Sequence, residues 1–275
     1  MERTLLRAPR LSVVTITYRD PAGLAATIDS LRALRDAGIN WEHIVVDASP
    51  DESTVALATA TWPIVHLREP PAGIYAALNA GARAARATAI WFLNGGDRLV
   101  DVAPLRAALG ALEAGAGLAV AGANLRRDGK FLYSVRPAVS YFRALAGANR
   151  VCHQAVVYDA AAFRRVGEFS TAYRLAGDYE HHLRCRLAGL QMRTVPGILV
   201  DYDMGGSSSD FRAVFAEFAR AQRELGGRFG FAWRLANGVG RRLEYLRVAL
   251  LKSTARSLVG ESLRPLWLAW NRRKG

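Results

Sequence analysis

An α/β fold with a mainly parallel central sheet flanked by helices, followed by a C-terminal helical extension, is what this 275-residue sequence predicts. Three observations lead there. Short runs rich in Val, Ile and aromatic residues alternate with segments of helical period from residue 11 to 113, which is the pattern of β-α-β units with a parallel sheet. Two of those runs end by delivering an aspartate, in Ile44-Val-Val-Asp47 and Ile90-Trp-Phe-Leu-Asn-Gly-Gly-Asp97. In open α/β sheets ligands collect outside the carboxyl ends of the strands. The charge is also lopsided, because 14 of the 37 Lys and Arg but only 4 of the 24 Asp and Glu follow residue 211.

The β-branched content of Leu11–Thr17 makes it a buried strand, which Tyr18-Arg-Asp-Pro closes with a loop. Leu24, Ile28, Leu31 and Leu34 recur at helical spacing across Ala22–Ala37, and Gly38 stops that helix. Trp41–Asp47 is the second strand. Ser49-Pro-Asp-Glu-Ser-Thr opens another helix with capping and acidic residues. Pro63–Leu67 is a third short strand, and Glu69–Arg83 reads as a loop entering a small-residue helix before the strand that ends at Asp97. A helix from Asp101 to about Glu113 carries Pro104 in its first turn. Strands follow at Leu118–Ala121 and Phe131–Val135. Cys152–Tyr158 reads as a loop entering a strand, and Tyr173–Glu180 as a loop entering a helix that ends before Gly189. Ile198–Met204 leads into the polar loop Gly205-Gly-Ser-Ser-Ser.

Composition excludes several classes. At 51% hydrophobic the chain buries a substantial core and is not disordered. Two cysteines are too few for a disulfide framework, which fits a reducing compartment. No secretory pattern opens the chain and no apolar run is long enough to span a bilayer, so a cytoplasmic protein is expected. The first strand is followed by Thr-Tyr-Arg-Asp-Pro rather than G-x-G-x-x-G, which argues against a dinucleotide oxidoreductase. No Walker phosphate loop occurs.

The ordered set Ser-Val-Val-Thr-Ile-Thr-Tyr, Ile-Val-Val-Asp-Ala-Ser, Glu-Pro-Pro-Ala-Gly-Ile-Tyr-Ala-Ala-Leu-Asn-Ala-Gly, Ile-Trp-Phe-Leu-Asn-Gly-Gly-Asp, His-Gln-Ala and Ala-Gly-Asp-Tyr-Glu resembles the family 2 glycosyltransferases of the GT-A fold over about residues 11–210. The resemblance implies an inverting transferase of hexosyl type that uses a nucleoside-diphosphate sugar, with a UDP-sugar preferred. It places Thr17, Tyr18 and Asp47 at the nucleotide base, and Gly73, Asn79 and Asn94 near the ribose and diphosphate. Asp97 then stands for the last acid of a D-x-D motif that holds Mg2+ or Mn2+. Asn94 and Gly95 stand where a second acid is common. Asp178 is the implied general base, with His153, Gln154 and Glu180 in the acceptor or diphosphate region. The residues alone leave structural roles open: Asn94–Asp97 suits a turn, Asp47 a helix cap, and Asp178 a helix N-cap. His181 and His182 lack the spacing of metal ligands.

Residues 1–210 are thus expected to be the catalytic domain and 211–275 a basic amphipathic extension. In the latter, Val239, Leu243, Leu246 and Leu250 form an apolar stripe flanked by Arg241, Arg242, Arg247 and Lys252, with Trp267 and Trp270 beyond. Such a segment is expected to contact a membrane surface through residues 239–274, which suits a glycan or lipid-linked acceptor on the inner face of the membrane. Packing on a second copy of the chain is the competing use. No nucleic-acid reading motif accompanies the charge. Two other functions stay open at this level: a non-catalytic homologue that binds sugar nucleotides, and a basic protein of the membrane surface.

Overall fold

The computed structural model describes residues 8–54, 62, 64–127, 129–137, 145, 151–203 and 211–229, with 233, 235, 237–240, 242, 243 and 246 beyond them. One nine-stranded sheet organises these residues. Its strands are β1 (Leu11–Thr17), β2 (Trp41–Asp47), β3 (Ile64–Arg68), β4 (Ala89–Phe92), β5 (Arg98–Leu99), β6 (Leu118–Arg127), β7 (Lys130–Val135), β8 (Val156–Asp159) and β9 (Met192–Asp203). They lie in the order β3-β2-β1-β4-β8-β6-β9-β5, and β7 pairs with β6. The helices are α1 (Pro21–Ser30), α2 (Arg32–Asp36), α3 (Ile74–Ala84), α4 (Val102–Glu113), α5 (Ala160–Val166), α6 (Gly177–Leu187) and α7 (Phe211–Gly226).

The first four strands are parallel as expected, with Thr17 opposite Asp47 at the carboxyl edge. Beyond β4 the sheet becomes mixed, because β8 runs antiparallel to both β4 and β6, and β7 antiparallel to β6, while β9 returns parallel to β6. Only two residues separate β6 from β7, a connection that permits an antiparallel pair and no other. Side chains alternate across the pleat. Val14, Ile44, Val46, Ile90 and Phe92 join the core beneath α3, α5, α6 and α7, whereas Leu11, Val13, Trp91 and Leu93 join the one beneath α2 and α4.

Three local differences from the sequence pattern have identifiable causes. The single helix expected over Ala22–Ala37 breaks at Leu31, whose N–H is shared between Thr27 O (3.2 Å) and Ile28 O (3.1 Å). Ser30 turns its hydroxyl back onto Thr27 O and accepts Leu99 N–H, tying the break to β5. β9 starts at Met192, earlier than Ile198, and Pro196-Gly197 inside it hides the strand signal. Helix α5 was not signalled by periodicity, being only seven residues long, and is capped by Asp159 accepting Ala162 N–H at 2.7 Å.

Phe218 and Ala221 of α7 are buried in the same core as Tyr75, Phe92 and Tyr179. Helix α7, the first described segment past residue 210, therefore packs on this core. The loop Gly205–Ser209 and the tail from 247 lie outside the described residues, as does most of the helix expected after Ser49.

Candidate functional site

The turn after β4 is held by the chain's own hydrogen bonds. Leu93 N–H bonds Val14 O and Gly95 N–H bonds Ile16 O, both at 2.9 Å, so the chain leaves β4 alongside the end of β1. Asn94–Asp97 then closes on itself, with Asp97 N–H donating to Asn94 O (3.0 Å) and Asn94 N–H donating to Asp97 Oδ2 (3.1 Å). Thr27, buried on α1, clamps the turn from outside: its hydroxyl donates to Asp97 O (2.7 Å) and accepts Gly96 N–H (3.0 Å). Asp97 is left 3% exposed.

Asp178 sits in the first turn of α6, where the helix N-terminus favours a carboxylate. The Tyr75 hydroxyl donates to its Oδ1 at 3.3 Å, and His153 Nδ1 stands 3.9 Å from its Oδ2. Asn94 Nδ2 donates to His153 Nε2 at 3.5 Å, which places the ring hydrogen on Nδ1, facing Asp178. A polar chain thus links the turn of Asp97 to Asp178 through His153. Gly177 makes room for Tyr75, because a Cβ there would lie 2.8 Å from the ring. Gly177→Ala is expected to displace the phenol and lower turnover about 10-fold to 100-fold, measurable as kcat at saturating donor and acceptor.

Helix α7 completes the frame. The Glu217 carboxylate accepts the backbone N–H groups of Arg174 (3.0 Å), Leu175 (2.8 Å) and Ala176 (2.7 Å), the segment that leads into Asp178. Glu217→Gln leaves one acceptor oxygen for three donors, so a stability loss of about 1–3 kcal/mol is expected. A fall in kcat should accompany it, and denaturant titration together with initial rates checks both.

Asn94, Asp97, His153, Gln154 and Asp178 line one cavity of about 960 Å³, together with Asp20, Tyr75, Cys152, Asp203 and Phe218. The other residues implicated by sequence sit elsewhere. Thr17 and Asp47 are side by side at the sheet edge but do not line the cavity, and Tyr18 points outward, 51% exposed, beneath the Arg19 guanidinium. Asp47 accepts Ser49 N–H (2.8 Å), the Thr54 hydroxyl, His66 Nε2 (3.3 Å) and Arg68 Nη1 (3.2 Å). Burial raises its pKa, but these donors outweigh that and hold the carboxyl below its ordinary range. Gly73 precedes α3 with φ +96°, a conformation that favours glycine. Asn79 spends both ends of its amide on the backbone of Phe169, at 2.9 Å each, which is a structural duty. Glu180 is likewise committed, in a two-point pair with Arg184 (2.7 and 2.9 Å), whose guanidinium also holds the carbonyls that end α5.

Residues 12–166 match the family model described as "Glycosyl transferase family 2". The chain belongs to this family. It is 30% identical over 239 residues to an uncharacterised glycosyltransferase of Mycobacterium tuberculosis H37Rv, covering 82% of this chain and 88% of that one. It is 29% identical over 187 residues to a PGL/p-HBAD biosynthesis glycosyltransferase of Mycobacterium bovis BCG, covering 66% and 71%. Among solved structures, S. aureus TarS 1–349 superposes with a TM-score of 0.61 at 16% identity, over 94% of this chain and 78% of that chain. TarS 1–349 in complex with UDP-GlcNAc gives 0.58 at 13% identity, over 80% and 66%. The chain spans 39% of the longer TarS chain. These structural likenesses show the shared GT-A fold.

In this family 2 glycosyltransferase the electrostatics divide the cavity. Burial pushes the Asp97 carboxyl up to about 8, against hydrogen bonds from the backbone of Asn94 and Asp203 and from the Gln154 side chain that favour the charged form; the nearby Asp203 carboxyl adds to the rise. Asn94 Oδ1 is buried with no partner. Asp97, Asp203 and Asn94 Oδ1 are hard oxygen donors of the type that Mg2+ or Mn2+ takes, while among the described residues no group of three or more His, Cys, Asp or Glu side chains forms a metal site. Gln154 is fixed by its backbone, whose carbonyl accepts Trp91 Nε1–H at 2.7 Å, and by Cys152, whose thiol donates to Oε1 at 3.0 Å. Burial lowers His153 to about 4 and so keeps it neutral, while burial and the Asp178 charge raise Tyr75 and keep its phenol protonated.

Sequence reading missed Tyr75, Thr27, Glu217 and Asp203. Tyr75 was visible in Gly-Ile-Tyr-Ala-Ala-Leu-Asn as a polar tip on an apolar helix. Asp203 was visible as an acid ending the run Ile198–Asp203, the signal that had singled out Asp47 and Asp97. Thr27 and Glu217 act from other elements, and no local pattern marks them.

Proposed function

We propose that this glycosyltransferase moves a sugar from a nucleoside-diphosphate donor, UDP-linked by preference, to a hydroxyl of a glycan, glycolipid or lipid-linked acceptor with inversion at the anomeric carbon. The observation that carries the reading is the joining of Asp97 and Asp178 in one cavity by the Asn94–His153 link. The Asp178 carboxylate takes the acceptor hydroxyl proton while that oxygen attacks the anomeric carbon from the face opposite the leaving group. The Tyr75 hydroxyl holds Oδ1, and neutral His153 faces Oδ2 without competing for the proton. Asp97, with Asn94 and Asp203, would hold the divalent ion, which when bound neutralises charge on the departing diphosphate. Asp47 is the acceptor-only group for an imide N–H of the base, and a base that reaches it replaces one of its present donors. The UDP and UDP-GlcNAc complexes of TarS support the choice of donor.

For residues 239–274 we retain contact with a membrane surface. Leu235, Val239, Leu243 and Leu246 are exposed at helical spacing, and among the described residues no helix is long and apolar enough to cross a membrane. A thermal-shift screen of sugar nucleotides with and without Mn2+ or Mg2+ tests the donor reading. Metal-dependent stabilisation by UDP and UDP-sugars is expected, and none by any nucleoside diphosphate would overturn it.

A further inference from the structure

We infer that the acceptor carries an apolar aglycone, alkyl or aryl, joined to the group whose hydroxyl is glycosylated; this rests on the transferase reading above and names the acceptor class for the same site. The cavity has two kinds of wall. Most of its polar groups, Asp20, Asn94, Asp97, Arg98, Gln154 and Asp203, come from segments at the sheet's carboxyl edge, and Leu125, Tyr133, Val135 and Tyr202 also line the cavity. Around Asp178 the lining changes to Ile74, Tyr75, Val151, Leu175, Val214 and Phe218. Five of these six, all but Leu175, form one continuous apolar cluster. Among the described residues, the charged side chain besides Asp178 that this region contributes to the lining is Arg174, which is exposed. The Tyr75 hydroxyl is spent on Asp178 at 3.3 Å, and His153, 3.9 Å from the same carboxylate, is held neutral by burial.

The apolar wall is built rather than incidental. Phe218 is 7% exposed and its ring packs on Tyr179 with centroids 4.7 Å apart, so α7 cannot turn this face away without uncovering the core. Glu217, one residue earlier, hooks three backbone N–H groups at Arg174–Ala176 and fixes the spacing between α7 and α6. Val214 and Ile74 are partly buried against the same cluster and show their remaining surface to the cavity. A free sugar or the middle of a polysaccharide would bring hydroxyl groups against this wall and lose their hydration without replacement partners. An alkyl or aryl group would cover it and bring the adjacent hydroxyl to Asp178.

The test compares initial transfer rates to octyl and phenyl glycosides with the rate to the same free sugar, product being measured by mass spectrometry across a panel of sugar nucleotides with Mn2+. Nucleotide release without acceptor is measured in parallel. The glycosides are expected to exceed the free sugar about tenfold or more in kcat/KM. Val214→Gln, and independently Leu175→Gln, should bring that ratio to within about twofold. Two variants are used because either position is partly buried, and thermal melts confirm that each is folded. Equal rates for glycoside and free sugar overturn the inference, as does a preference that survives in both folded variants. Nucleotide release without transfer to any glycoside also overturns it while leaving the donor reading standing. Absence of release and transfer with every donor overturns the transferase reading itself, and this acceptor with it.

Discussion

Asp178→Asn should lower kcat by about a thousandfold with donor affinity unchanged. Asparagine keeps the size and the hydrogen bond from Tyr75 but cannot take a proton. The environment sharpens the expectation, because neither described neighbour is equipped to substitute: His153 is held near 4 by burial and Tyr75 stays protonated. Glu180, the nearest acid in sequence on the same helix, is locked to Arg184 at 2.7 Å. Stopped transfer assays alongside calorimetric titration with UDP separate the two effects. Intact binding with lost turnover is the expected pair, and wild-type turnover would remove Asp178 as base.

Asp97→Asn is the second large effect, and it divides by property. Metal-dependent UDP binding should fall about a hundredfold or more, because a carboxylate ligand is replaced by a neutral amide. Stability of the metal-free protein should move the other way. The folded carboxyl is raised to about 8 from an ordinary 3.8, chiefly by burial, so the folded state holds a proton that the unfolded chain has given up between those values. The unfolded state therefore gains on the folded one as pH rises through that window, and the metal-free wild type loses stability from about pH 4 to pH 8. The asparagine variant lacks this slope and should melt higher than wild type at pH 8 in chelator. Melting curves at pH 5 and pH 8, with and without Mn2+, read both halves. A variant less stable than wild type at pH 8 in chelator would contradict the buried-charge account.

How far the sequence carries is clearest at Asp97 and Asp178. Both line the cavity; Asp97 was legible as an acid after a fully buried strand, whereas Asp178 stood out through the family resemblance, its own sequence suiting a helix N-cap equally. The parallel half of the sheet was legible for a similar reason, since β1 to β4 are continuous apolar runs separated by helical periods. The mixed half was not, because β9 passes through Pro196-Gly197 and its parallel pairing with β6 is interrupted by two register shifts, which obscures the strand's period. Asn79 shows a limit of another kind. Its amide was legible as a polar residue on a small-residue helix, yet its partner is the backbone of Phe169, 90 residues later. Glu217 shows the same limit in reverse, because its work is done on residues 174–176 and nothing in Phe-Ala-Glu-Phe announces it. Local pattern finds polar groups delivered at strand ends and helix starts. It does not find groups whose partners are set by the packing of distant elements.

The anomeric configuration of the product tests the central claim most directly. On the proposed reading, a single base at Asp178, acting on an acceptor hydroxyl across from a diphosphate held at Asp97, allows one displacement and hence one inversion. With a UDP-α-sugar donor, the proton coupling constant at the new anomeric centre should be that of a β-linkage. A product that retains the α configuration would require a second displacement or front-face attack and would contradict the assignment of Asp178.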